Sequence, residues 1–203
     1  MACRKMRSNR RDSRCGYVPA NGHSLSSLVD EFIRQHRVAS RTELDGYRGN
    51  SLKETIEIAA LSSRKLDRNN CIICKRNPHQ CRIKCKILAS GKDELLTMVH
   101  ELRKATDFVS IYELVNDVSR RICGLGELWT YDVALRIGWY LRIKPDVVYL
   151  HRGAMKGAKN MGLQGLRATM RKQSFPVEFS RLEPYEIEDF LCICKDELKR
   201  LFL

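Results

Sequence analysis

No apolar run in this 203-residue chain approaches the ~20 residues that a membrane-spanning helix needs, so a membrane protein of that kind is not expected. The basic N-terminus is not followed by an apolar stretch, which argues against a secretory signal. There is no Gly-rich Walker loop, no His-Glu-x-x-His zinc motif and no nucleophile elbow. Nucleoside triphosphate hydrolysis and metalloprotease chemistry therefore have no residues to support them. The sequence also lacks an internal repeat, and no basic segment is joined to a long apolar face that would lie on an anionic membrane.

Acidic residues are missing from long stretches, and this is the more informative lack. Residues 1–15 carry six basic side chains against Asp12 alone, residues 64–92 carry nine against Asp67 alone, and residues 151–172 carry six and no acid. These blocks hold more positive charge than the whole chain, whose net charge is +13, so the remainder is acidic. Segregated basic charge is the footprint of a protein that displaces counterions from a polyanion. A solubilising surface is the plainer alternative. With 43% apolar residues the chain can bury a core.

The patterning predicts a mainly α fold, with a flexible basic arm over 1–22 and one helical domain over 23–203. From Ser24, the residues Leu25, Leu28, Val29, Phe32 and Ile33 follow helical spacing. Ser51 with Glu54 reads as a capping box opening a helix through Leu61. Residues 63–90 are basic, cysteine-rich and without clear period, and helical pattern resumes near Asp93 with Leu95, Leu96, Val99 and Leu102. Asp107 is suited to cap a helix burying Ile111, Leu114, Val115, Val118 and Ile122. A further helix with Trp129, Val133, Ile137 and Tyr140 on one face ends before Pro145. The run Val147–Leu150 is compatible with a strand or a helix start, residues 152–170 with a short helix and loops, and a last helix follows Pro184.

Nine cysteines, several of them close together, suit a reducing compartment and point to free thiols or metal ligation rather than a disulfide framework. The cytoplasm is the default, nucleoid-associated in a bacterium or nuclear in a eukaryote. Cys71, Cys74, Cys81 and Cys85, with His79 as an alternative ligand, supply soft donors for a tetrahedral zinc ion. An iron–sulfur cluster ranks behind zinc, and buried or incidental thiols are the other reading. His79, Gln80, Arg82 and Lys84 in this segment can meet a phosphate with or without metal. Cys192 and Cys194, two apart on a helix, face different directions, and Cys194 reads as core.

Gly124-Leu125-Gly126 separates the two best-patterned helices. Two glycines around one apolar residue make a tight turn in which Leu125 anchors inward while the following helix presents free amides to an anion. Glu127 is a carboxylate beside the same donors and competes for them. A helix connection in the core is the alternative role. Beyond it, Arg152, Lys156 and Lys159 fall at i, i+4 and i+7, one face of a helix.

The sequence Gly-Leu-Gly-Glu-Leu-Trp-Thr-Tyr-Asp-Val-Ala-Leu-Arg resembles the hairpin and second helix of the helix-hairpin-helix DNA glycosylase family, over 110–161. The likeness is to the alkylation-repair glycosylases, with Trp129 and Thr130 about one residue late and Ala134, Leu135 and Arg136 in register. It implies a helix-hairpin-helix over 107–142 that grips DNA. In that family an Asp shortly after the second helix stabilises the positive charge that develops as the glycosidic bond breaks on a flipped base. The comparable stretch here, Val147 to Arg152, holds no carboxylate. Bifunctional members place a nucleophilic Lys just past the hairpin, where this chain has Glu127, Leu128 and Trp129, which excludes a Schiff base there.

The leading expectation is a nucleic-acid-binding protein, DNA favoured, gripping phosphates through Gly124, Leu125, Gly126, Arg82, Lys84, Arg152, Lys156 and Lys159. An enzyme of glycosylase or nuclease type is the second, with Asp132, Asp146 and His151 as candidate catalytic groups. An interaction module for an acidic protein partner is the third. For Asp132 the structural reading, a solvated or capping carboxylate, is favoured. Asp146 is expected to cap the segment after Pro145.

Overall fold

The computed structural model describes residues 24–62, 80 and 82–202. The N-terminal arm and the candidate ligands Cys71, Cys74, His79 and Cys81 lie outside the described residues. The elements are α1 (Leu25–Gln35), α2 (Arg37–Asp45), α3 (Leu52–Leu61), α4 (Cys85–Thr97), α5 (Val99–Lys104), α6 (Phe108–Arg121), α7 (Glu127–Leu141), β1 (Val147–Tyr149), α8 (Arg152–Asn160), β2 (Thr169–Arg171), α9 (Pro184–Ile193) and α10 (Lys195–Phe202). Two short 3₁₀ turns, Lys172–Ser174 and Val177–Arg181, lie between β2 and α9. The fold is mainly helical. None of the described helices is long and apolar enough to cross a membrane.

The helix starts follow cap chemistry. Ser24, Ser51 and Asp107 each adopt extended backbone, and each side chain accepts the N3 amide, from Ser27, Glu54 and Ser110 respectively. At Ser51 the carboxylate of Glu54 reaches one residue further back than a capping box requires, accepting from the amide of Asn50 at 2.6 Å.

Two apolar clusters form the interior. The first joins Leu28, Val29 and Phe32 of α1 to Val148, Ala154 and Ala158, and to Phe179, Ile187, Phe190, Leu191, Cys194 and Leu198. The second joins Ile56 and Ala59 of α3 to Leu88, Leu95, Ile111, Val115, Val118, Trp129, Val133 and Ile137. The antiparallel ribbon β1–β2 touches both, since Val148 belongs to the first cluster and Tyr149 to the second. Val147–Tyr149 is thus a strand, the alternative periodicity had left open. Asp146 accordingly precedes a strand and caps no helix.

Three elements differ from the sequence pattern. Helix α2 has no apolar stripe and buries only Leu44. It is held by charge: Arg37 donates through Nε and Nη2 to the Glu186 carboxylate at 2.8 Å each, Arg41 lies 3.3 Å from the same group, and Ser40 donates to Asp189 at 3.0 Å. Helix α4 starts at Cys85 rather than near Asp93, and its early turns bury Leu88 and Gly91. The last helix breaks at Cys194, which is fully buried as expected, and resumes as α10.

Candidate nucleic-acid interface

The turn between α6 and α7 is built from three contacts. Leu125 donates its amide to the Ile122 carbonyl at 3.2 Å, and Gly124 sits at φ +101°, a conformation that favours glycine. Leu125 packs against α4 at Gly91, where a Cβ would fall 2.9 Å from Leu125 Cδ1 and 2.9 Å from Trp129 Cζ2. The anchoring role expected of Leu125 is therefore met. Gly126 is different: at φ −131° and ψ 177° its backbone is ordinary extended chain, so conformation does not demand a glycine, and a Cβ there would meet open space. Both glycines are exposed, and no side chain caps α7, whose first-turn amides lie at the surface end of the helix.

Helix α4 brings cations to this turn. Ile87 covers Gly124, a Cβ on which would fall 2.8 Å from Ile87 Cδ1. Arg82, Lys84 and Lys86 lie just before and within this first turn of α4, all exposed. Cys85, the described member of the proposed ligand set, is exposed at the first position of α4. No group of three or more potential ligands occurs among the described residues.

Arg152, Lys156 and Lys159 stand exposed along α8, as the i, i+4, i+7 spacing requires. The helix is pressed onto α9 by its glycines: a Cβ at Gly157 would lie 2.1 Å from the Leu191 carbonyl oxygen, and one at Gly153 would overlap Cys192 Sγ. The row is thus mounted on a rigid, close-packed support. It belongs to the first apolar cluster, whereas the hairpin belongs to the second.

The three candidate catalytic groups have separate fates. Asp132 accepts from Gln80 Nε2 at 2.8 Å and lies 3.5 Å from Arg136 Nη2. Arg136, buried inside α7, also donates to the Ala59 carbonyl at 3.2 Å and to Ser62 Oγ at 3.0 Å, and its guanidinium lies 4.0 Å from the Tyr47 ring centroid. Trp129 Nε1 donates to the Ala60 carbonyl at 3.1 Å, and Ser62 donates to Gln80 Oε1. Together these groups satisfy carbonyls at the end of α3, where Ser62 turns left-handed at φ 51°. Asp132 is therefore engaged in folding. Asp146 is exposed ahead of β1.

His151 precedes α8 and is buried, with Nε2 2.6 Å from Oε1 of Glu188 on α9. Burial pulls the imidazole pKa down, but the Glu188 carboxylate more than reverses this and lifts it to about 9, with Asp132 and Glu127 adding to the effect. Burial likewise pushes the Glu188 carboxyl upward, against the pull of His151. The His151 ring also lies 5.2 Å from that of Tyr131, which stacks in turn on Tyr149 at 5.3 Å. This aromatic seam joins the two clusters.

Sequence reading missed the roles of Arg136 and Glu188, and it placed Gln80 among the phosphate contacts, whereas Gln80 is buried between Asp132 and Ser62. Only Arg136 left a trace, as a charged residue amid the apolar positions of α7. No family model, no curated protein and no solved structure matches this chain.

Proposed function

We propose that this protein binds nucleic acid, DNA in preference, by holding the sugar–phosphate backbone with the exposed Gly124–Gly126 turn and its neighbouring cations, without catalysis. The observation that carries this reading is the exposed set of donors: an open turn ahead of an uncapped helix, packed on α4 just past Arg82 and Lys84, and a separate row of Arg152, Lys156 and Lys159 on α8. None of these five side chains has an ion pair or hydrogen bond with a described residue. Cations without a partner among the described residues stay available for phosphates, and amides at a helix start complement negative charge. The likeness of 110–161 to helix-hairpin-helix glycosylases supports the same use of the turn. A zinc ion held by Cys71, Cys74, Cys81 and Cys85 would add its own positive charge next to Arg82 and Lys84 along the chain.

Gel-shift binding to duplex, single-stranded and abasic DNA tests the reading, followed by incubation of each substrate. Binding without base loss or strand cleavage is the expected result. Product formation abolished by Asp146→Asn would replace the binding role with an enzymatic one. An acidic protein that binds and is not displaced by DNA would replace it with a protein-interaction role.

A further inference from the structure

The α8 row and the hairpin stand on different apolar clusters, and the ribbon β1–β2 lies where the clusters meet. Its register pairs Val147 with Arg171, Val148 with Met170 and Tyr149 with Thr169. Directly opposed residues share a face of a ribbon. Val148 and Met170 therefore face the first cluster, while Thr169 and Arg171 share the face of Val147 and Tyr149, which pack on the second. Arg171 is exposed at this edge. Just before β2, the Leu150 amide donates to the Ala168 carbonyl at 2.7 Å. That bond fixes Arg167 alongside the chain entering α8, so Arg167 and Arg152 flank one junction. Arg167 is exposed as well.

No carboxylate among the described residues pairs with either arginine, although Asp146 adjoins Val147, the cross-strand partner of Arg171. Neither side chain has an ion pair or hydrogen bond with a described residue, and the chain holds no acid between Asp146 and Glu178. The carboxylates of α9, the helix beneath α8, are already taken: Glu186 by Arg37 and Arg41, Glu188 by His151, and Asp189 by Ser40. A guanidinium presents a planar fork that fits two phosphate oxygens.

We propose that Arg167 and Arg171 are further contacts to the nucleic-acid backbone, carrying the grip from the α8 row across the ribbon toward the hairpin helices. This rests on the nucleic-acid reading above. The spacing suits it. The four residues from Arg167 to Arg171, extended over Thr169–Arg171 and bent at Ala168, span at most ~13 Å, and seven helical residues from Arg152 to Lys159 rise ~10 Å. At 3.4 Å of helix axis per nucleotide of one strand, each arm corresponds to at most about three or four nucleotides. One duplex is long enough to meet both arms.

The experiment is a salt titration of affinity for a 20-base-pair duplex, with the full chain, Arg167→Glu/Arg171→Glu, and a control Lys53→Glu/Lys199→Glu. The control removes the same charge from exposed positions on α3 and α10. Circular dichroism and the thermal midpoint check that each variant is folded. The expected result is a slope of log affinity against log salt reduced by about 2 in the arginine variant, with affinity down about tenfold or more, and little change in the control. An unchanged slope in the arginine variant overturns the proposal while leaving hairpin binding intact. So does an equal loss in the control, which would make the effect one of net charge. No binding by the unaltered chain removes both readings.

Discussion

The buried His151–Glu188 pair makes stability depend on pH in a direction that can be worked out. His151 holds its proton in the folded chain up to about 9, against ~6.5 unfolded. Its contribution is therefore fully present below pH 6.5 and is lost as pH rises through 9. Glu188 also takes up a proton more readily folded than unfolded, so it too makes stability fall as pH rises. Between pH 7 and 8.5 the folded state keeps about one proton on His151 that the unfolded chain has released, a slope of about 1.4 kcal/mol per pH unit and a loss of about 2 kcal/mol across the window. Glu188→Gln removes the counter-charge, leaving burial to depress the imidazole, so the slope disappears. The other groups acting on the ring, Tyr131 in contact with it and the Asp132 and Glu127 carboxylates of α7, are unchanged in that variant. Urea unfolding followed by tryptophan fluorescence at pH 7 and 8.5 gives both slopes. Parallel behaviour of the two proteins would refute the assignment of His151 as a charged partner.

Other substitutions test separate parts of the structure. Arg136→Met removes the counter-charge of Asp132 and the side-chain donor to the Ala59 carbonyl and Ser62, and should cost about 3 kcal/mol in chemical denaturation, as breaking a buried pair does; a loss under 1 kcal/mol would show that the network is not stabilising. Gly157→Ala drives a methyl into the Leu191 carbonyl and should lower stability by ~2 kcal/mol or more, with a matching fall in the thermal midpoint. Glu127→Gln removes the carboxylate from the α7 start and should strengthen duplex binding by about 0.3–1 kcal/mol at low salt, measured by fluorescence anisotropy; weaker binding would mean that the turn does not face the phosphates.

The parts of this fold that could be read from sequence are those set by neighbours along the chain. Ser24, Ser51 and Asp107 cap because each is a short polar side chain three residues before an amide it can reach, and the stripes of α1, α6 and α7 follow from helical period alone. Helix α2 escaped because its docking is ionic, between Arg37 and Glu186, residues far apart in sequence and unmarked by any period. The strand at Val147 depends on a partner beyond a glycine-containing loop. The exposed turn and α8 row matched their local pattern, but Asp132 was visible only as an acid on a helix. Its role in holding Arg136 and Gln80 arises when α3 and α7 meet. The same holds for His151, whose partner Glu188 lies on a different helix and gave no local signal.

The most direct measurement is the affinity of the unaltered chain for duplex DNA between 50 and 200 mM salt, repeated with Lys156→Glu/Lys159→Glu. Binding that weakens linearly on a log–log plot, with a slope near −0.9 for each phosphate engaged and about 2 shallower in the variant, is the expected result. Absent binding at 50 mM salt, or a slope that the two lysines do not alter, would contradict a phosphate grip by this surface.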